Sequence, residues 1–319
     1  MRKAIVIGGA GFIGSNLAEA ILSQEPKTPI LIYDNFSSGK EWNLEEIKSA
    51  NVEVIRADVK DMARLCSAMA GVDVVYHFAS NPDIARAIND PEVDFWEGTY
   101  LTNNVLEAMR RNQVKKIIYA SGSGIYGDAG STELQEDYPL KLPISTYGAS
   151  KLAGEAMICS YCHMFEMQAV SLRFANVVGP RQTHGVVYDF IKKMMRNPKE
   201  LAILGDGGQS KSYIHVSDSI SAMIMLEKDM PRGFSYYNVA TLDYLTVTQI
   251  AEIVVGETGL KQPKYIYTGG DRGWKADVPV VRMNSEKIRR LGWSSKYNST
   301  EAVCLSVRSI LADYRAGKL

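Results

Sequence analysis

The chain has 319 residues and sets 36 lysines and arginines against 36 aspartates and glutamates, which excludes a basic surface for nucleic acid or an anionic membrane. Hydrophobic residues make up 46 %, enough for a sizeable core, while four scattered cysteines exclude a disulfide framework. No apolar run is long enough to span a bilayer, and the N-terminus enters a strand and a glycine loop instead of a signal peptide, so a cytoplasmic protein is expected.

From Lys3 to Arg181 short apolar runs alternate with helical stretches, the pattern of a parallel sheet covered by helices on both faces. In chain order the strand runs are Ala4–Ile7, Ile30–Tyr33 closing at Asp34, Val52–Ile55, Val72–His77, Lys116–Ala120 and Gln168–Arg173. Past Arg181 the regularity weakens. Leu201–Gly208 and Tyr265–Gly270 read as short strands and turns, and Val247–Thr258 and Ser285–Leu291 as helices. The expected fold class is α/β. A Rossmann-type doubly wound parallel sheet occupies residues 1–182, with later segments returning to it, and residues 183–319 form a smaller C-terminal α/β substrate lobe.

Gly8-Gly9-Ala10-Gly11-Phe12-Ile13-Gly14 follows the first strand and opens a helix. In that context Gly8 permits a tight turn, Gly11 lets a pyrophosphate approach the backbone, and Gly14 lets helix and strand pack closely. The helix N-terminus adds free N–H groups and a favourable dipole. Asp34 ends the second strand about 20 residues on, where a carboxylate accepts from ribose hydroxyls and repels a 2′-phosphate, favouring NAD over NADP. Asp58, ending the third strand, either reaches the adenine or is a plain cap.

Tyr147-Gly148-Ala149-Ser150-Lys151 sets a tyrosine and a lysine four apart, on one face if a helix begins there. A nearby ammonium and a nicotinamide cation favour phenolate and bring the tyrosine pKa down from about 10. Cys159 and Cys162 form a C-x-x-C, but they sit in an apparent helix with no second ligand pair, so packing is expected and no metal. His77 is expected packed and hydrogen-bonded, His163 and His215 structural, and His184, which follows the Asn176 segment, is a candidate to face substrate.

Taken together, Gly8–Gly14, Asp34, His77-Phe78-Ala79, Tyr126-Gly127, Tyr147-x-x-x-Lys151, Arg173–Asn176 and Lys211–Val216 resemble the extended short-chain dehydrogenase/reductases, the NAD-dependent epimerase/dehydratase family. The resemblance spans essentially the whole chain and is greatest to UDP-glucose 4-epimerases of the archaeal and bacterial type. It implies tightly held NAD, contacted by Gly8, Gly11, Phe12, Ile13, Gly14, Asp34, Asn35, Ser37, Gly39, Asp58, Val59, Phe78, Ala79, Ser80, Ala120, Tyr147 and Lys151. It also implies a UDP-sugar held by Asn176, Val187, Lys211, Arg272, Asp277 and Val281. Tyr147 takes the proton of the sugar's 4-hydroxyl, and Lys151 holds the nicotinamide ribose. The family usually forms homodimers, here through helices around residues 92–111 and 150–165.

Several positions depart from the family pattern. Gly122 stands where the helper hydroxyl is normal, leaving Ser121 or Ser123 to supply it, with Ser121 slightly favoured. Gly98 replaces an asparagine that faces the cofactor, and Ser80-Asn81-Pro82-Asp83 lacks a lysine near the nicotinamide. Lys211 replaces a forked arginine with a point charge, for which Arg272 or Lys275 compensates. Val281 stands in place of a bulky tyrosine beside the sugar's C2 substituent, which either leaves room for N-acetylhexosamines or is plain core. A 4,6-dehydratase needs an Asp-Glu pair where Ser123-Gly124 stand. Another NDP-sugar epimerase or reductase is the nearer alternative. A non-catalytic NAD-sensing scaffold typically lacks the tyrosine or the lysine.

Overall fold

Runs apolar at every position suit strands buried on both faces. In the computed structural model, which describes residues 2–47 and 49–319, the six strand runs join a seventh strand in one sheet. Its strands are β1 (Ala4–Ile7), β2 (Ile30–Asp34), β3 (Val52–Arg56), β4 (Val74–His77), β5 (Lys116–Gly122), β6 (Gln168–Phe174) and β7 (Phe234–Val239). They lie in the order β7-β6-β5-β4-β1-β2-β3. β1 runs parallel to β2 and β4, β2 to β3, and β4 to β5. The order reverses at β1, so a switch point opens beyond the carboxyl ends of β1 and β4, the place where such sheets bind ligands.

The chain divides into two compact units that interleave in sequence. The first comprises Met1–Gly122, Thr146–Arg173 and Ile220–Tyr237, and the second Ser123–Ser145, Phe174–Ser219 and Asn238–Leu319. In the first, helices α1 (Phe12–Gln24), α2 (Met62–Ala68), α3 (Tyr100–Arg111) and α4 (Thr146–Phe165) accompany the sheet. Ile5, Ile7, Val75 and Ile117 from the strands join Val105, Leu106, Met109 and Ile158 from the helices in one buried cluster. A π-helical turn, Phe95–Thr99, leads into α3. Gly98 in that turn lies against α4: a Cβ there would come within 2.7 Å of the Ser150 hydroxyl, so the family's asparagine would not fit this contact.

β7 escaped the sequence reading because Phe234-Ser235-Tyr236-Tyr237-Asn238-Val239 mixes polar and aromatic residues and lacks a continuous aliphatic run. In the second unit the helices Val186–Arg196, Val247–Thr258 and Ser299–Arg315 bury Phe190, Ile250, Val254, Val307 and Ile310 together. Two of these helices start with capping boxes, Thr246 with Gln249 and Asn298 with Glu301. Short strands pair beside them, Glu200–Ile203 with Lys264–Tyr267 and Asn176–Val178 with Tyr213–His215. Among the described residues no helix is long and apolar enough to cross a membrane.

Candidate active site

The glycine loop turns directly off β1. Gly8 has φ +80°, and a Cβ on it would sit 2.8 Å from the Ala79 amide nitrogen. A Cβ on Gly14 would lie 2.5 Å from the Gly8 carbonyl oxygen, whereas one on Gly11 would meet only that oxygen, at 3.2 Å. Gly8 and Gly14 are thus required by the protein's own backbone, and Gly11 stands in more open space. Helix α1 begins at Phe12, Ile13 and Gly14 with no side-chain cap and no acid in its first turn. Uncapped N–H groups at the positive end of a helix, beside a cradle that Cβ atoms would fill, fit a dinucleotide pyrophosphate.

Asp34 closes the second wall. Its carboxylate accepts from the Ala10 amide at 2.9 Å and the Phe36 amide at 2.7 Å, leaving lone pairs for ribose hydroxyls. Burial pushes its pKa up, while those amides oppose the shift. Gly39 packs on Ala10, so the 34–40 segment folds over the loop. Asn35 donates to Asp58 at 2.8 Å and accepts from the Ser37 amide, tying these three expected adenosine contacts together. Val59 is buried, and its carbonyl accepts from Asn104. Phe78 and Ala79 hang from the Ile7 carbonyl through both their amides, with Ser80 following, half-buried.

Lys151 is buried, with Nζ donating to the Ala120 carbonyl at 2.8 Å and lying 5.6 Å from the centre of the Tyr147 ring. Burial lowers its pKa to about 8, against the pull of Asp94 and Glu155. The tyrosine goes the other way. Burial, with Asp94 second, pushes Tyr147 up to about 12, so the protein's own groups do not lower it as the Tyr-Lys spacing leads one to expect. Desolvation of the phenolate and the Asp94 charge act in the same direction. Next to Ala120, the Ser121 hydroxyl is buried and has no hydrogen-bond partner among the described residues. Ser123 belongs to the second unit and is half-buried.

His77 is fully buried, hydrogen-bonded through Nε2 to Thr102 at 3.1 Å, and stacked on Tyr119 at 5.5 Å. Burial first and the Lys151 charge second lower its pKa to about 3, so it is neutral and packed. Gly154 lets the Tyr119 ring reach under α4: a Cβ there would sit 2.4 Å from the phenol oxygen.

The second unit gathers most of the expected substrate residues. Lys211 pairs with Asp277 at 2.7 Å, and Arg272 pairs with Asp128 at 2.6 Å while donating to the Asp277 carbonyl. Asn176 pairs in register with Tyr213, and the Val281 amide donates to the Ser210 carbonyl. Val281 is buried. Val187 is fully buried in the hydrophobic cluster of this unit, so its side chain packs against protein. His184 is exposed, and His215 is held by Ser217 at 2.7 Å.

Sequence reasoning missed two carboxylates. Asp128 holds Arg272 and follows Tyr126-Gly127, a motif that could have flagged it. Asp94 accepts from Asn81 at 3.0 Å and from Thr146, the residue before Tyr147, at 2.6 Å. No local signal links positions so far apart.

The sequence profile of the NAD dependent epimerase/dehydratase family matches residues 4–240. The chain belongs to that family. Its cofactor is NAD, for which the loop, the uncapped helix and Asp34 are suited. A solved UDP-galactose 4-epimerase is 36 % identical, with TM-score 0.85 over 98 % of this chain and 99 % of that one. The UDP-glucose 4-epimerase of Thermus thermophilus, solved in complex with NAD, is 28 % identical with TM-score 0.86 over 97 % and 99 %. The human dTDP-D-glucose 4,6-dehydratase is 27 % identical over 95 % of this chain and 88 % of its own length. Epimerases and dehydratases both lie among the relatives, so the family alone leaves the reaction open.

Proposed function

We propose that the protein is an NAD-dependent UDP-hexose 4-epimerase interconverting UDP-glucose and UDP-galactose, with the N-acetylhexosamine pair as further substrates. The observation that carries this reading is the cluster formed by Tyr147, the Lys151 ammonium on the Ala120 carbonyl and the unpartnered Ser121 hydroxyl. Tyr147 takes the proton of the 4-hydroxyl and returns it, Ser121 donates to the same oxygen, and Lys151 holds the nicotinamide ribose. NAD held there would supply reversible hydride transfer at the sugar's C4, so no cofactor would be consumed. Ser123-Gly124 supply no acid–base pair for expelling water across C5 and C6, which speaks against a dehydratase.

In this reading residues 1–182 and the segments returning to them hold NAD, and residues 183–319 mainly hold the nucleotide diphosphate. Lys211 and Arg272 meet the phosphates, and Asp277 and Asp128 keep both cations in place. Val281 leaves space beside the sugar's C2 substituent. The protein acts in the cytoplasm as a homodimer through the helices around residues 92–111 and 150–165, where Phe95 and Trp96 are exposed. The test is incubation without added NAD of UDP-glucose, UDP-galactose, their N-acetylhexosamine counterparts and UDP-glucuronate, with products separated chromatographically. Interconversion of a C4 pair supports the reading. Turnover of the plain sugars alone removes the N-acetylhexosamine part, and loss of water to a 4-keto-6-deoxy sugar overturns the epimerase.

A further inference from the structure

Asp94 is a buried carboxylate, 1 % exposed, at the entry to the Phe95–Thr99 turn. It has no cation partner among the described residues. Its two oxygens accept from neutral donors, the Asn81 amide at 3.0 Å and the Thr146 hydroxyl at 2.6 Å. Asn81 is itself fixed, donating to the Asp83 carbonyl and accepting from the Asp83 amide. Thr146 opens α4, and Tyr147 follows it directly. Any hydrogen-bonding side chain could tether Thr146, so a carboxylate buried on neutral hydrogen-bond donors calls for a second reason, since burying a charge is expensive.

We infer that Asp94 is a positioning residue for the Tyr147–Lys151 pair, fixing the first turn of α4 through the Thr146 hydroxyl and keeping a negative charge beside both side chains. This inference rests on Tyr147 being the base of the proposed reaction. The groups facing the pair are His77 from β4, Tyr119 from β5, Glu155 within α4, and Asp94. His77 is neutral, and Glu155 is neutralised by Arg173 at 2.8 Å. Asp94 is the carboxylate that bears on both side chains, Glu155 acting on Lys151 alone. It favours the Lys151 ammonium against its burial and the protonated Tyr147 phenol, raising both pKa values.

Two near-isosteric variants separate tether from charge. Thr146→Val removes the donor only; kcat should fall by about ten- to a hundredfold through misplacement of the phenol. KM and both limbs of the kcat–pH profile should stay where they are, and Thr146→Ser should restore kcat. Asp94→Asn removes the charge; both limbs should move to lower pH, because the phenol and the ammonium each lose the carboxylate that holds their pKa up. Thermal melting confirms that each variant is folded. A wild-type pH profile in Asp94→Asn, or wild-type kcat in Thr146→Val, overturns the inference. If the wild-type protein turns over no sugar nucleotide, the proposed reaction fails and Asp94 is read separately, by NMR titration of tyrosine ring carbons with Tyr147→Phe identifying the signal. The Tyr147 midpoint must then fall in Asp94→Asn, and an unmoved midpoint refutes the role.

Discussion

Replacing Gly14 by alanine tests the claim that the glycine loop and the start of α1 form one rigid phosphate cradle. The added Cβ would lie 2.5 Å from the Gly8 carbonyl oxygen and 2.7 Å from the Gly9 Cα. Carbon contacts relax at about 3.5 Å, and both neighbours are backbone, so helix and loop must part by up to about 1 Å. Overpacking of this kind costs about 1–3 kcal/mol. Alanine returns about 1 kcal/mol of helix propensity, leaving a net loss of about 0–2 kcal/mol, or up to about 3 °C in melting temperature. Binding should suffer more than stability. Losing one charge-assisted hydrogen bond from the first-turn amides removes about 1.5–3 kcal/mol, a roughly ten- to hundredfold weaker Kd for NAD. Calorimetric NAD titration together with thermal unfolding reads both quantities. Gly256→Ala is the control, because nothing lies within 4 Å of a Cβ there. Within the helix Val247–Thr258 it should stabilise by up to about 1 kcal/mol and leave NAD affinity alone. Gly14→Ala protein that binds NAD within twofold of wild type would refute the cradle.

Further expected outcomes follow from the buried charges. Glu155→Gln leaves the Arg173 guanidinium, 3 % exposed, without its carboxylate, and should destabilise by about 3–5 kcal/mol in urea unfolding. His77 has its pKa lowered in the folded state from 6.5 to about 3, so the unfolded chain binds the extra proton. Its contribution is complete above the unfolded value and is lost as pH falls from about 6.5 toward 3, amounting to about 2 kcal/mol by pH 5. His77→Gln should flatten the fall in stability between pH 7 and 5, and an unchanged slope would contradict the neutral, buried histidine. Arg272→Ala should raise KM for the sugar nucleotide about tenfold or more while NAD affinity holds, as measured by steady-state kinetics and calorimetry.

Local chemistry made much of this molecule readable in advance. Ala4–Ile7, Lys116–Ala120 and Gln168–Arg173 are short, largely apolar runs of strand length, and the glycine spacing fixes the turn after the first of them. The Tyr147–Lys151 spacing was legible because one helix carries both residues. What escaped depends on distance in sequence. The tether from Asp94 to Thr146 and the clasp of Asp128 on Arg272 join segments that no periodicity connects. The Tyr147 pKa escaped for another reason: a four-residue spacing shows neither the burial nor the distant Asp94 charge that push it up. Gly98, which reads as a lost cofactor contact, is instead where the chain approaches Ser150 of α4.

The most direct test of the proposed reaction is to supply UDP-glucose carrying deuterium at C4 to the purified protein, without added NAD, and to follow the label by mass spectrometry and NMR. UDP-galactose should form with the deuterium still at C4, because the hydride leaves and returns within one site, and Tyr147→Phe should lose about 10²–10⁴-fold in rate. Deuterium found at C6 of a 4-keto-6-deoxy product, or no inversion at C4 in any UDP-hexose, would contradict it.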